Sequence, residues 1–159
     1  MKEIKIMLVY FMILTISVIS CKKEVDGCID SLAYNYNASA NTDNGSCIYA
    51  HEIMVNTWNI ETSECGNILG EGLDLLENIV IQKGNNDGDL IINLGTLGAL
   101  TGSINNQGSI TIPPQNIALG SIEGTGTLNS ITNATVNIKI IIGFPPLATE
   151  QTCNITLTL

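Results

Sequence analysis

The chain has 159 residues, 45% of them hydrophobic, and a net charge of −9 in which six lysines, and not one arginine, face fifteen acidic side chains. That balance excludes nucleic acid as a partner, because the phosphate backbone is repelled, and it gives an anionic membrane surface no basic patch to attract. The length suffices for one barrel-sized domain and a short module.

Lys2 and Lys5 precede an apolar run from Ile6 to Ile19, interrupted only by Thr15 and Ser17 and ended by Ser20. A charged start, an apolar middle and a small-residue cut site predict a cleaved signal helix over residues 1–20. A spanning helix needs about 20 apolar residues, and this run is shorter and is followed at once by Cys21-Lys22-Lys23. Val18-Ile19-Ser20-Cys21 resembles the bacterial lipobox: an aliphatic residue, a variable one, a small one and cysteine. The resemblance implies cleavage before Cys21 and acylation of its thiol and amine, palmitate included, in a lipoprotein of the outer membrane. Several acyl chains satisfy the two-signal requirement for stable anchoring. The competing reading is a plain signal peptide or single anchor helix in which Cys21 is incidental. Cleavage leaves 139 residues in which four lysines face fourteen acidic groups, a net charge of −10, so attachment has to come from the lipid.

With Cys21 consumed, Cys28, Cys47, Cys65 and Cys153 remain as an even set in an oxidising compartment. Of the pairings open to them, Cys28–Cys47 brackets one compact motif and Cys65–Cys153 brackets one β domain, and this pair of links is the expected one. Chain entropy values the two closures at about 3 and about 4.5 kcal/mol. Zinc is not expected, because there is no Cys-x-x-Cys spacing and the sole histidine, His51, lies outside both pairs.

Residues 21–26 form a short charged tether, whose lysine-then-acidic order resembles the export signals of surface-exposed bacterial lipoproteins. Residues 27–49 follow as a small module. Gly27-Cys28-Ile29-Asp30, then Ala33-Tyr34-Asn35-Tyr36-Asn37, then Asp43-Asn44-Gly45-Ser46-Cys47-Ile48-Tyr49, resembles a short repeat common in bacterial surface and secreted proteins, with Asn44 where that repeat has a second Asp. Turn residues at Asn35, Asn37, Asp43, Asn44 and Gly45, three tyrosines and a disulfide suit a minimal stapled fold. Oxygens of Asp30, Asp43 and Asn44 would suit calcium, but the alternation of an EF-hand loop is absent and Asp-Asn-Gly is first of all a turn, so no metal site is assigned. Asp30-Ser31-Leu32 also resembles a bacterial O-glycosylation sequon.

From residue 51 to 159 the pattern changes to short alternating apolar runs separated by Gly, Asn and Pro turns, which predicts an all-β domain. In Ala134–Ile142, Val136, Ile138, Ile140 and Ile142 share one face; in Cys153–Leu159, Cys153, Ile155, Leu157 and Leu159 do. Earlier strands are expected at Ile53–Thr62, Ile79–Lys83, Asp89–Leu94, Leu100–Asn105, Ser109–Ile112 and Ser121–Leu128, with Pro113-Pro114 as a breaker and a helical turn near Leu73–Glu77. About eight strands with tight turns make an antiparallel meander. An even count lets the last strand pair with the first, giving a closed, lipocalin-like barrel; the alternative is a β-sandwich. The stretches Ile112-Pro113-Pro114-Gln115 and Ile122-Glu123-Gly124-Thr125-Gly126-Thr127 and the late cysteine are similar to small lipocalin-like or sandwich domains of bacterial lipoproteins.

No catalytic constellation is legible, and no enzyme or cofactor is expected. His51 has no nucleophile or carboxylate at a recognisable spacing, and Glu61, Glu64, Glu71, Asp74 and Glu77 read as solvated loop charge. Two functions remain. Aliphatic inward positions, with Gly124 and Gly126 thinning the wall, suit either a filled core whose outer faces bind an extracellular protein or glycan, or a carrier of one small apolar ligand. The volume of the barrel interior separates them.

Overall fold

Alternation with a period of two gives a strand one face to bury and one to leave in water. In the computed structural model this pattern closes eight strands into a ring. The structure describes residues 22–65, 77–95, 98–117, 120–143 and 148–159, with backbone alone at 62–65. The small module carries β1 (Asp26–Gly27) and β2 (Thr42–Asp43), paired in parallel. Helix α1 (Ala50–Met54) leads into β3 (Thr57–Cys65), β4 (Asn78–Lys83), β5 (Asp89–Asn93), β6 (Ala99–Ile104), β7 (Ser109–Ile117), β8 (Gly120–Ser130), β9 (Asn133–Ile142) and β10 (Thr149–Thr158). Each barrel strand pairs antiparallel with its neighbours in chain order, and β10 completes the ring between β9 and β3. The barrel is therefore the architecture, and the sandwich does not form.

The register is set by burial. On β9, Ala134, Val136, Ile138 and Ile140 are buried while Thr135 and Asn137 face solvent, and on β10 Cys153, Ile155 and Leu157 are buried while Thr152 and Asn154 are exposed and Thr156 and Thr158 half-buried. A slip of one residue would turn each of these stripes into water. Leu159, expected to point inward, is instead 43% exposed, because β10 ends one residue earlier and the chain has left the wall. Gly124 and Gly126 continue the inward row of β8, where an added Cβ would lie 2.7 Å from the Asn137 carbonyl and 2.5 Å from that of Thr135. They permit β8 and β9 to approach closely.

Three further expectations need correction. The strand expected from Ile53 begins only at Thr57, because Ala50, Ile53 and Met54 recur at the helical spacing of three and four and bury one face of α1 in the barrel end. The Trp58 indole, fully buried, donates to the Met54 carbonyl at 3.0 Å and fixes the helix to the first barrel strand. The last strand, expected from Cys153, begins earlier, at Thr149. The helical turn near Leu73–Glu77 falls, apart from Glu77, outside the described residues.

The third correction concerns Pro113-Pro114, which does not break β7. Ile112 pairs with Gly124 and Gln115 with Ile122, so two prolines on β7 oppose the single Glu123 on β8: a one-residue bulge, the position at which a strand tolerates proline. The prolines also cannot donate to β6. There the Gln115 side chain substitutes for a peptide group: its Oε1 accepts the Thr101 N–H at 2.9 Å and its Nε2 donates to the Thr101 carbonyl at 2.6 Å. One side-chain amide thus carries the β6–β7 seam past the prolines.

The module is docked on the barrel end that α1 occupies. Tyr34 packs against the core, and its hydroxyl donates to the Leu128 carbonyl at 3.0 Å. Gly108, at φ +81°, turns the chain from β6 to β7 beneath that ring; an added Cβ would lie 3.1 Å from it, so both the backbone and the docked tyrosine require glycine there. Gln115→Ala, which leaves two backbone groups of Thr101 without their side-chain partner in a partly exposed setting, is expected to cost about 1–2 kcal/mol by chemical denaturation while keeping the fold by circular dichroism.

Candidate functional site

The barrel interior is a packed core. Among the described residues, an apolar space between the inward side chains, lined by Met54, Ile81, Leu90, Leu100, Ile110 and Val136 among others, is about 20 Å³. A single water needs about 10–15 Å³ on that measure, so this space holds no organic ligand. The lining is entirely apolar and offers no hydrogen bond that would orient one.

In the module, Cys28 and Cys47 form a disulfide, and Cys28 is buried. The oxygens considered for calcium are spent on turns. Asp30 accepts from the Leu32 N–H at 2.9 Å and from the Tyr49 hydroxyl at 2.7 Å, Asp43 accepts from the Gly45 N–H at 3.0 Å, and Asn44 accepts from the Ser46 N–H at 3.0 Å. These are Asx turns, in which a short side chain satisfies the backbone two residues on. Among the described residues no three His, Cys, Asp or Glu side chains converge as metal ligands. Hydrogen bonds from Leu32 and then Tyr49 hold the Asp30 carboxyl below its ordinary range, and the Asp30 carboxylate in turn pushes the Tyr49 phenol up.

Between the module and the barrel end lies an open cleft of about 470 Å³. The module contributes Leu32 and Tyr49, α1 contributes His51 and Glu52, the end of β4 contributes Lys83, and the β4–β5 turn contributes Asp87 and Gly88. Ile104 at the end of β6 and Asn106 from the β6–β7 turn complete the lining. The rings of Tyr49 and His51 stack with centroids 6.0 Å apart and planes inclined by 29°. Lys83 donates to Asp87 at 2.7 Å, which raises the lysine pKa and lowers that of the aspartate. At 53% and 82% side-chain exposure the pair contributes little to stability; what it does is leave the cleft with a mostly compensated charge.

A second concavity, about 370 Å³, runs along the outside of β7–β10. β7 lines it with Thr111, Pro113 and Pro114, β8 with Thr125, β9 with Asn137 and Lys139, and β10 with Thr152. Lys139 reaches Glu150 at 2.9 Å and Glu123 at 3.9 Å, and the Glu150 contact is the main cause of its raised pKa.

Sequence reasoning placed Cys28 and Cys47 correctly but did not foresee the cleft, because its walls come from four segments that only the closed ring brings together. The short helix was the obtainable signal: Ala50, Ile53 and Met54 at helical spacing would have turned His51 and Glu52 outward. Cys21 lies outside the described residues, as do Glu71 and Asp74 and the side chains of Cys65 and Glu64. Glu61 and Glu77 are exposed and belong to neither concavity. No family model, curated protein or solved structure matches the chain.

Asp30 has a folded pKa below its ordinary 3.8, so the native state binds fewer protons than the unfolded one. Its contribution to stability is complete above that value and is lost as pH falls through the lower folded value. Acid titration followed by NMR of the Tyr49 ring should therefore show the Asp30–Tyr49 contact opening only at a pH below the ordinary carboxyl value of 3.8, and Asp30→Asn should abolish that transition and bring the Tyr49 phenol titration down toward 10.0.

Proposed function

We propose that this is a lipid-anchored protein of the bacterial outer membrane, exposed at the cell surface, whose β-barrel is a scaffold and whose work is binding through its outer faces rather than catalysis. The packed interior supports the second half of this reading: the apolar space between the described inward side chains is about 20 Å³, too small for an organic ligand. The anchor rests on the sequence of residues 1–21, where the signal-like run ends on Val18-Ile19-Ser20-Cys21. The charged tether that follows suits a folded body held clear of a bilayer, and the net charge of −10 expected after cleavage keeps that body off anionic headgroups.

The same reading includes a Cys65–Cys153 disulfide across the closing seam. Three observations support it. Cys153 pairs in register with Cys65 on the neighbouring strand, it is fully buried, and it is disulfide-bonded. Directly opposed residues of an antiparallel pair have Cα atoms about 4.5–5.5 Å apart, within the range of about 4.4–6.8 Å that a disulfide spans.

Native mass spectrometry of the protein extracted from its own membranes tests these points together. The expected mass is that of residues 21–159 with acyl chains on Cys21 and two disulfides, and with no retained small molecule; non-reducing peptide mapping should recover Cys28 with Cys47 and Cys65 with Cys153. Cys21→Ala should shift the protein out of the membrane fraction. An uncleaved Cys21→Ala protein that stays membrane-bound would replace lipidation with a plain anchor helix, and a co-purified apolar molecule would restore the carrier function.

A further inference from the structure

Both concavities lie on the outside of the molecule, and they differ in chemistry. The groove over β7–β10 is walled by two prolines, hydroxyl and amide side chains, and a lysine already held by two carboxylates. The cleft beneath the module combines ring faces with side chains of both hydrogen-bonding senses, and it is assembled from segments far apart in sequence. From that combination we infer that the cleft is a recognition site for neutral glycans, with Tyr49 and His51 as the stacking surface and Glu52, Lys83, Asp87 and Asn106 as the hydrogen-bonding rim. The inference rests on the outer-surface binding proposed above and names the ligand class for it.

A sugar ring presents two kinds of surface. Its edges carry hydroxyls, each at once donor and acceptor, and its faces carry C–H groups that are apolar and slightly positive. The cleft supplies a counterpart to each. Carboxylate acceptors stand at Glu52 and Asp87, ammonium donors at Lys83, and the Asn106 amide offers both senses. The negative face of an aromatic ring attracts C–H groups, and Tyr49 and His51 stack within the same cleft, with Leu32 extending the apolar side. Size agrees as well, because about 470 Å³ falls within the roughly 300–1,000 Å³ of ligand sites and accommodates more than one sugar residue.

Charge decides against the nearest alternatives. An anionic ligand would meet Lys83 already bonded to Asp87 at 2.7 Å, with Glu52 beside it uncompensated, in a chain of net charge −9. A cationic ligand would compete with Lys83 for Asp87 and would gain from Glu52, and it would leave the Asn106 amide donors unused. A neutral polyol can bridge the Lys83–Asp87 pair without breaking it, since a hydroxyl donates to the carboxylate while accepting from the ammonium group.

Two groups anchor the rim in place. Gly88, at φ +87°, turns the β4–β5 connection so tightly against β6 that an added Cβ would stand 2.7 Å from the Ile104 carbonyl, and the Gly88 carbonyl accepts the Ile104 N–H at 2.8 Å. On the module side the Tyr49 hydroxyl is held by Asp30, so the ring is positioned before any ligand arrives. Walls fixed in advance lower the ordering cost of binding.

The experiment screens the full chain, in detergent, against an array of neutral oligosaccharides (glucans, mannans, galactans and N-acetylhexosamine oligomers), followed by titration calorimetry on the best of them. Binding to at least one neutral glycan is expected, with affinity nearly unchanged between low and high salt. Asn106→Ala and Glu52→Gln, both at exposed positions, should each weaken it at least tenfold, and Thr125→Ala on the opposite wall should leave it unchanged. Silence across the array overturns the inference. So does binding that collapses with salt or is confined to amines, which would make the cleft a cation site, and so does equal loss in the Thr125→Ala protein, which would move the site to the outer groove. The outer-surface reading fails separately, when an apolar molecule is found inside the barrel, whatever the cleft binds.

Discussion

Closure between β10 and β3 is the contact on which the other features depend. The pairing runs from Cys153 opposite Cys65 to Thr158 opposite Asn59, with one register shift between Thr156 and Leu157. Without it the sheet would expose two edges of unpaired peptide groups and would have no reason to curl its aliphatic stripes toward one axis. With it, inward residues from all eight strands converge into one aliphatic core, and the apolar space described between them is about 20 Å³. The same closure brings Leu159 to the end of the barrel where α1 sits, and its N–H donates to the Thr132 carbonyl in the β8–β9 turn.

A ring with short turns has a second consequence, on the side where α1 enters. The β4–β5, β6–β7 and β8–β9 turns all fall at that end by parity, and each meets something there. Gly88 abuts β6, Gly108 passes beneath Tyr34, and Leu128, just before the β8–β9 turn, accepts the Tyr34 hydroxyl. The module is therefore more than a bead on a tether: its disulfide and Asx turns hold Tyr34 and Tyr49 in position, Tyr34 spends its ring on the barrel, and Tyr49 spends its own on the cleft. Chain order makes this economical, since Tyr49 directly precedes α1.

Period-two stripes were legible because burial leaves a direct mark on sequence. Ala134–Ile142 and the run from Cys153 to Leu157 could be read residue by residue, and strand parity then argued for closure. What could not be read has local physical reasons. Ile53 and Met54 look like the start of a strand until Ala50 is counted with them, and a five-residue helix is too short to announce a period. Pro113-Pro114 signals a break by propensity, and the compensation, a Gln115 amide standing in for a peptide group of the ladder, is a tertiary contact fourteen residues away. Asp30, Asp43 and Asn44 have the oxygens of a cation site; only geometry shows them turned onto their own backbone.

The cleft illustrates the limit in its strongest form. Its polar residues carry no motif, because Glu52, Lys83, Asp87 and Asn106 are each ordinary surface residues in their own segment. They acquire joint meaning through two constraints that are themselves readable, ring closure and the docking of a stapled module over one end of the ring. A filled barrel then directs chemistry outward. The barrel keeps its walls apolar and its volume spent, and the variation that binding requires is left to turns and to the module, where a substitution touches solvent rather than core. In such a fold the interior sets how firmly the walls are held, and the glycan recognition proposed above places its specificity at the rim, where segments separated by dozens of residues line one cleft.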